Sequence, residues 1–299
     1  MKCNICGGLA IINMPQHRLK LCADHFDAWV LKMVQRAIER HSMFTRDERV
    51  LVAVSGGKDS LALWDILTRL GYQTEGVYVH LGIAHGCYSD LSQTAIEAFA
   101  AERALSFQVA NVEQTYGQSV PDLRRTGRGK HLCAVCGLVK RHVMNRVAYE
   151  GGYAAIATGH QIDDEAATLL QNTLHWRAGY LQRQGPILPS THPRLARKVK
   201  PLCQLYERET AAYALMRGID YVEEECPYSA RATSIFSKGI LNQLEARSPG
   251  TKRQIYDGLV RGKASGELVF GGIDPEEPDA APEDYRTCER CGQPTLSPG

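Results

Sequence analysis

The chain has no uninterrupted apolar stretch of membrane-spanning length, and Met1-Lys2-Cys3-Asn4 does not open a secretory leader. No membrane association is therefore expected, and the expected compartment is the cytoplasm. A dominant sign of charge is also missing: 35 Lys and Arg face 33 Asp and Glu, leaving +2. Bulk charge thus does not organise binding to nucleic acid, and any RNA contact must come from local patches. There is no repeat of the solenoid kind. A Walker A loop is absent as well, because the one Gly-Gly-Lys sequence has too short a spacing and its Lys58 precedes Asp59. What remains is a chain of 299 residues, 44% hydrophobic and 23% charged, long enough to bury an α/β core and carry small appendages.

Cysteine is plentiful. Ten of them in a reducing compartment point to metal or redox chemistry rather than disulfides. Cysteine pairs near both ends and the strand–helix alternation between them suggest three zones: an N-terminal knuckle over residues 1–30, an α/β domain over 31–271, and an acidic, Pro-rich linker with a partial C-terminal knuckle over 272–299. A helix is expected from about Asp27 to His41. Strands are expected at Val50–Val54, Thr74–Ile83, Phe107–Val112 and Ala154–Thr158, with helices at Ser92–Ala104 and Gly137–Tyr149 between them. This alternation implies a parallel sheet covered on both faces, with ligands at the carboxyl ends of its strands.

Ser55-Gly56-Gly57-Lys58-Asp59-Ser60 follows the apolar run Val50–Val54 and precedes the amphipathic Leu61-Ala62-Leu63-Trp64. The order is strand, phosphate loop, helix: glycines let backbone N–H groups approach phosphate oxygens, and the helix N-terminus adds partial positive charge. The loop resembles the pyrophosphate loop (SGGxDS) of ATP-pyrophosphatases. A second Gly turn, Gly159-His160-Gln161-Ile162-Asp163-Asp164, ends the Ala154–Thr158 strand on the same side. There Asp164 suits Mg²⁺ or positioning of the reacting group, although Asp163, Asp164 and Asp59 also read as helix-capping residues.

Cys3, Cys6, Cys22 and His25 form a C-x2-C…C-x2-H set, which suits tetrahedral zinc in a segment too short for its own core. Cys288 and Cys291 make half of such a site, and no second pair follows them. Cys133-Ala134-Val135-Cys136 opens a helix beside Lys130, Lys140 and Arg141, a setting that favours a thiolate. Alone, this pair reads as a redox couple, half a zinc site or two iron–sulfur ligands. Cys226, directly before Pro227, is a third candidate, since Cys-Pro is common where a loop leaves a cluster. Basic stretches at Arg124–Lys130 and Arg194–Lys200 are either RNA contacts or solvated faces. Cys87 and Cys203 have no partner spacing and are expected to be buried structural thiols.

Taken in order, the knuckle, Ser55–Ser60 with Leu61-Ala62-Leu63-Trp64, Leu81-Gly82-Ile83, Cys133/Cys136 with Lys140, Gly159–Asp164 and Glu225-Cys226-Pro227 resemble the TtcA/TtuA group of tRNA 2-thiolation enzymes. Within the group the resemblance is strongest to the branch acting on 5-methyluridine 54. It covers almost the whole length. It implies an adenine-nucleotide α-hydrolase-like core, the PP-loop ATP-pyrophosphatase fold, that binds ATP and Mg²⁺. By the same carry-over a [4Fe-4S] cluster sits on Cys133, Cys136 and Cys226, while Lys140, Asp164 and Asp59 are catalytic. Ala53, Ser55, Gly56, Gly57, Lys58, Asp59, Ser60, Leu81, Gly159, His160 and Asp164 are then nucleotide contacts. Zinc falls on Cys3, Cys6, Cys22 and His25. A second, four-cysteine knuckle is usual in the group; here only Cys288 and Cys291 represent it. The implied partners are tRNA, a sulfur donor (a ubiquitin-like carrier protein with a C-terminal thiocarboxylate, or sulfide) and a second copy of the chain. The expected reaction adenylates the uridine C2 oxygen and replaces it with sulfur. A cluster-free persulfide route, another PP-loop ligase and an RNA-binding module are the rival readings.

Overall fold

Val50, Leu51 and Val52 are fully buried in β3 (Arg49–Ala53), as expected of a strand flanked on both sides and covered on both faces. The structure is a computed structural model that describes residues 1–123, 132–224, 226–228, 233–270, 285–289 and 291–295. Its central sheet has six strands, in the order β5 (Phe107–Asn111), β4 (Gln73–His80), β3, β6 (Ala155–Ala157), β8 (Arg197–Val199) and β7 (Ile187–Leu188). All neighbours pair in parallel except β7, which runs antiparallel to β8 at the edge. The sequence-based expectation of a parallel sheet holds for the body and misses this two-residue edge strand.

Helix α2 (Lys58–Arg69) is buried continuously from Ser60 to Leu67. Its sheet side inserts Trp64, which is wholly buried against Phe99, the ring centroids lying 5.5 Å apart. This packing requires a glycine at Gly76 of β4, where a Cβ would stand 2.7 Å from the Trp64 ring. On its other side, α2 is tied by buried Asp65, which accepts from Tyr213 Oη at 2.6 Å, Arg103 Nε at 3.0 Å and Arg217 Nε at 3.2 Å. These partners come from α3 (Tyr88–Arg103), α9 (Glu207–Met216) and the residue just past α9. A buried carboxylate so surrounded fixes the orientation of α2, and removing its partners would strand a charge.

The chain leaves β3 outward to β4 and β5, then returns to place β6 on the opposite side of β3. That reversal is a topological switch point, and the crevice beyond the carboxyl ends of β3 and β6 is where such sheets bind ligands. Helix α6 (Leu132–Glu150) runs along this crevice, and α7 (Ile162–Leu174) starts from the loop after β6. The N-terminal hairpin of β1 (Ile12–Met14) and β2 (Leu19–Leu21) packs through Met14 and Leu21 into the same core as α2, joined there by Phe26 just after it. Helix α1 covers Ala23–Arg40, so it begins four residues earlier than expected, inside the knuckle. Helix α10 spans Thr233–Arg247 and α11 spans Thr251–Ala264. The expected linker lies largely outside the described residues.

Candidate active site

The loop after β3 folds onto itself through Ser60, whose hydroxyl accepts from the Ser55 N–H at 3.1 Å and donates to the Gly57 carbonyl at 2.9 Å. Gly56 has φ +81°, and a Cβ there would press to 3.0 Å on the Ser92 backbone. Gly57 occupies the N-cap of α2 and supplies no side-chain hydrogen bond, so the first amides of α2 stay open toward the crevice. Gly159 approaches from β6 so closely that a Cβ would meet the Asp59 carbonyl carbon at 2.9 Å. The two Gly turns thus form a single cradle.

Ala53, Ser55, Asp59, Ser60, Leu81, Gly159, His160 and Asp164 line a cavity of about 500 Å³, together with Lys140 and Arg141 of α6. Gly57 and Lys58, with Ser55 and Asp59 again, line an adjoining cavity of about 510 Å³. Every residue predicted to touch the nucleotide therefore borders these two spaces or, for Gly56, shapes the loop between them.

Charges beneath the loop are interlocked. Lys58 Nζ lies 3.0 Å from Glu207 and 3.3 Å from Asp59; Lys238 Nζ lies 2.7 Å from Asp164 and 3.2 Å from Glu207. Thr210 donates to Asp59. Burial opposes ionisation of Glu207, yet Lys238 and Lys58 hold its pKa down at about 2. The Asp59 carboxyl moves the other way: burial raises it, and Asp164 and Glu207 add to the rise against Lys58 and Thr210. Asp164 also closes a capping box on α7, accepting from the Gln161 N–H at 3.2 Å. A capping bond and a place on the cavity wall therefore coexist in Asp164. Asp163 is instead buried, accepting from the Glu207 N–H at 2.8 Å and paired with Lys252. Glu207, Thr210 and Lys238 carry no signal in the sequence, being ordinary polar residues of two helices until α9 and α10 bring them under the loop.

Cys133 and Cys136 occupy the first turns of α6, and Cys133 Sγ donates to the Tyr228 carbonyl at 3.6 Å. Cys136, Cys226 and Tyr228 pack against one apolar cluster that includes Leu81, Ile83 and Val143. One residue beyond Cys136, Gly137 enters the nucleotide cavity wall, followed one turn later by Lys140. Burial pushes the Cys136 thiol up, and the neighbouring Cys226 and Cys133 add to this against the pull of Lys140. This reverses the expectation of a readily formed thiolate at Cys136: burial outweighs the nearby cations and the helix N-terminus.

Near the N-terminus, the ligand atoms of Cys3, Cys6, Cys22 and His25 all lie within 4.8 Å of one another, with Cys22 Sγ 3.1 Å from His25 Nδ1. Burial resists a Cys3 thiolate, but backbone N–H groups of Cys6, Cys22 and Ile5 bring its pKa down to about 6. Among the described residues this is the one group so gathered. Cys288 and Cys291 flank a turn in which the Gly292 N–H donates to the Cys288 carbonyl at 2.8 Å, ahead of β10 (Pro294–Thr295), which pairs with β9 (Arg286–Thr287). Cys203 is fully buried as expected, whereas Cys87 is exposed at φ +52°, in the turn leading into α3. Arg124–Lys130 lies outside the described residues. In the other basic stretch, Arg197 pairs with Glu48 at 2.7 Å and Lys200 with Glu165 at 2.8 Å.

Comparison with known proteins agrees with this layout. The chain matches the PP-loop domain over residues 30–234. Residues 2–27 match the N-terminal LIM domain of the 2-thiouridine synthetase TtuA. The chain is 46% identical over 295 residues to a tRNA-5-methyluridine(54) 2-sulfurtransferase of Thermus thermophilus, covering 99% of this chain and 88% of that relative. A protein of the same description from Pyrococcus horikoshii is 39% identical, with 99% and 90% covered. The fold is similar to that of the U34-tRNA thiolase NcsA from Methanococcus maripaludis, described with its [4Fe-4S] cluster, at a TM-score of 0.80 and 25% identity over 93% of this chain and 94% of that one. No helix among the described residues is long and apolar enough to cross a membrane. The PP-loop match over most of the chain, and relatives of this identity along nearly all of it, place the chain in the PP-loop family of tRNA 2-thiolation enzymes, in the branch of the tRNA-5-methyluridine(54) 2-sulfurtransferases.

Proposed function

We propose that the protein adenylates the C2 oxygen of a tRNA uridine with ATP and replaces that oxygen with sulfur, the target being 5-methyluridine 54 as in its relatives. The observation that carries this reading is a shared wall: α6 bears Cys133 and Cys136 at one end and turns Gly137 and Lys140 into the cavity of the phosphate loop. Activation and sulfur delivery can then act on one base without its leaving the site.

In the first stage the C2 oxygen attacks the α-phosphorus, and pyrophosphate departs. The open amides at the start of α2 receive it, and Lys58 adds positive charge from the loop. The Glu207 and Asp59 carboxylates hold Lys58 in place beforehand, so little reorganisation is needed when the phosphates arrive. Asp59 and Asp164 are the carboxylates that fit Mg²⁺, which takes one or two protein oxygens and otherwise phosphates and water; the ion would neutralise phosphate charge. In the second stage sulfur attacks C2, and AMP leaves with the former carbonyl oxygen. Lys140 faces the cavity and stabilises the negative charge of that leaving group.

Cys133, Cys136 and Cys226 are the residues that would hold a [4Fe-4S] cluster: Cys136 and Cys226 are half-buried beside one apolar cluster, Cys133 is exposed one turn before Cys136, and both other thiols stand near enough to raise that of Cys136. When bound, such a cluster supplies an open coordination position for the incoming sulfur. The cluster-free route needs a thiolate nucleophile at Cys133 or Cys136, and burial of Cys136 works against that at one of the two. Cys3, Cys6, Cys22 and His25 fit zinc, whose closed shell would be structural. A carrier-protein thiocarboxylate or sulfide is the sulfur source, and the working form is a homodimer. The three zones at 1–30, 31–271 and 272–299 are the corresponding units.

The test is nucleoside mass spectrometry of tRNA incubated anaerobically with the protein, ATP and sulfide. A 2-thiolated nucleoside appearing with AMP and pyrophosphate is expected. A nitrogen-containing product, or thiolation without AMP, would overturn the reading.

A further inference from the structure

A second groove, of about 870 Å³, lies on the far side of α6, between that helix, the β7–β8 edge and α8 (Ala178–Arg183). Arg141 lines both this groove and the nucleotide cavity, so the two spaces share one guanidinium. Across from it stands Lys198, the middle residue of β8. Its neighbours on the strand are already matched, Arg197 with Glu48 and Lys200 with Glu165. Lys198 and Arg141 have no carboxylate partner among the described residues. Burial, with Arg141 adding repulsion, pushes the Lys198 ammonium below its ordinary pKa. Two cations held together in a partly buried groove repel one another, and an anion between them removes that penalty.

We propose that this groove seats the sugar–phosphate backbone of the substrate RNA beside the reacting base, with Arg141 and Lys198 gripping a phosphate. The inference rests on the thiolation reading and adds the route by which RNA reaches the site. The groove has the volume of a nucleotide-sized ligand. Arg183 continues the positive track along its rim, its guanidinium carbon 5.5 Å from the centre of the Tyr180 ring. Just before α8, Trp176 is 75% exposed at φ +51°, next to Arg177, which approaches the same Tyr180 ring at 5.7 Å. Cations along a groove, with the Tyr180 ring against the Arg183 of its rim, match what single-stranded nucleic acid uses. A lone carboxylate tail of a protein donor would need one cation rather than a track of them.

The test is tRNA binding by the full-length protein across a salt series, comparing wild type with Lys198→Gln and with the exposed-rim variant Arg183→Gln. Each variant should bind tRNA about five- to tenfold more weakly, and the slope of log affinity against log salt should fall by about 0.7–0.9 for each phosphate that is no longer held. ATP affinity of Lys198→Gln, measured in parallel, should match wild type. Unchanged tRNA affinity and slope in both variants would overturn the proposal. A raised KM for a protein thiocarboxylate donor, with tRNA binding intact, would assign the groove to that donor and also overturn it. Wild-type protein that binds no tRNA would overturn the thiolation reading itself, and the groove with it.

Discussion

The two cysteine sets of this chain differ in how tightly they are drawn together, and on the proposed function that difference separates scaffold from chemistry. The N-terminal set brings four ligand atoms within 4.8 Å of one another, one pair from the turn ahead of β1 and the other from the start of α1. Its surroundings are structural: Cys3 belongs to the main core, and Gln16 donates to the fully buried Glu209 at 2.7 Å. A closed quartet leaves no position for a substrate. The central set has three thiols, from α6 and from the Cys226 loop, set beside a cavity rather than closed on one point. The chemistry a site can do follows from the ligand position its protein leaves open.

Substitutions can pull the two sets apart. The largest effect is expected for Cys136→Ala: thiolation should fall by at least about 10³-fold. Its melting temperature should stay within about 4 °C of wild type, because the thiol sits at a half-buried edge of its cluster. A variant that keeps thiolation would remove the central set from the chemistry. Next is Cys22→Ala, which breaks the closed quartet and should lower unfolding free energy by about 4 kcal/mol, read from denaturant titration. Equal stability of the variant and wild type would show that the quartet is not a scaffold.

The smallest effect concerns the charges under the phosphate loop. Glu207 has a folded pKa of about 2 against an ordinary 4.5. A depressed carboxylate contributes stability that is complete above the unfolded value and is lost as pH falls toward the folded one. The stability gap between wild type and Glu207→Gln should therefore be constant from about pH 8 to pH 5 and shrink below about pH 4.5. Glu207 is 39% exposed, so solvent screening keeps the gap small. A gap that widens on acidification would contradict the Lys58–Glu207–Lys238 arrangement.

Much of the site is legible in the sequence because its parts are local. The Ser55–Ser60 turn, the Gly159 turn and the C-x2-C pairs each fall within a few residues, where spacing reflects backbone geometry directly. Lys238, Glu207 and Thr210 are not legible, since they meet Asp59 and Asp164 only through the crossing of α9 and α10 with α2 and α7. Lys198 is hidden for the same reason: in Arg-Lys-Val-Lys every cation looks alike until Glu48 and Glu165 claim two of them. Cys87 departs from expectation because a lone cysteine without spacing gives no information on burial. The Cys136 thiol shifts against expectation because sequence shows nearby cations but not the depth at which a thiol is set. The antiparallel β7 escapes notice because two residues carry no periodicity.

The central claim is that the two sets hold different metals for different ends. It is tested most directly by metal analysis and visible absorbance of anaerobically purified wild type, Cys22→Ala and Cys226→Ala. Iron with broad visible absorbance is expected in wild type and Cys22→Ala and lost in Cys226→Ala, whereas zinc should be present in wild type and Cys226→Ala and lost in Cys22→Ala. Colourless, iron-free wild type that thiolates tRNA fully would contradict it.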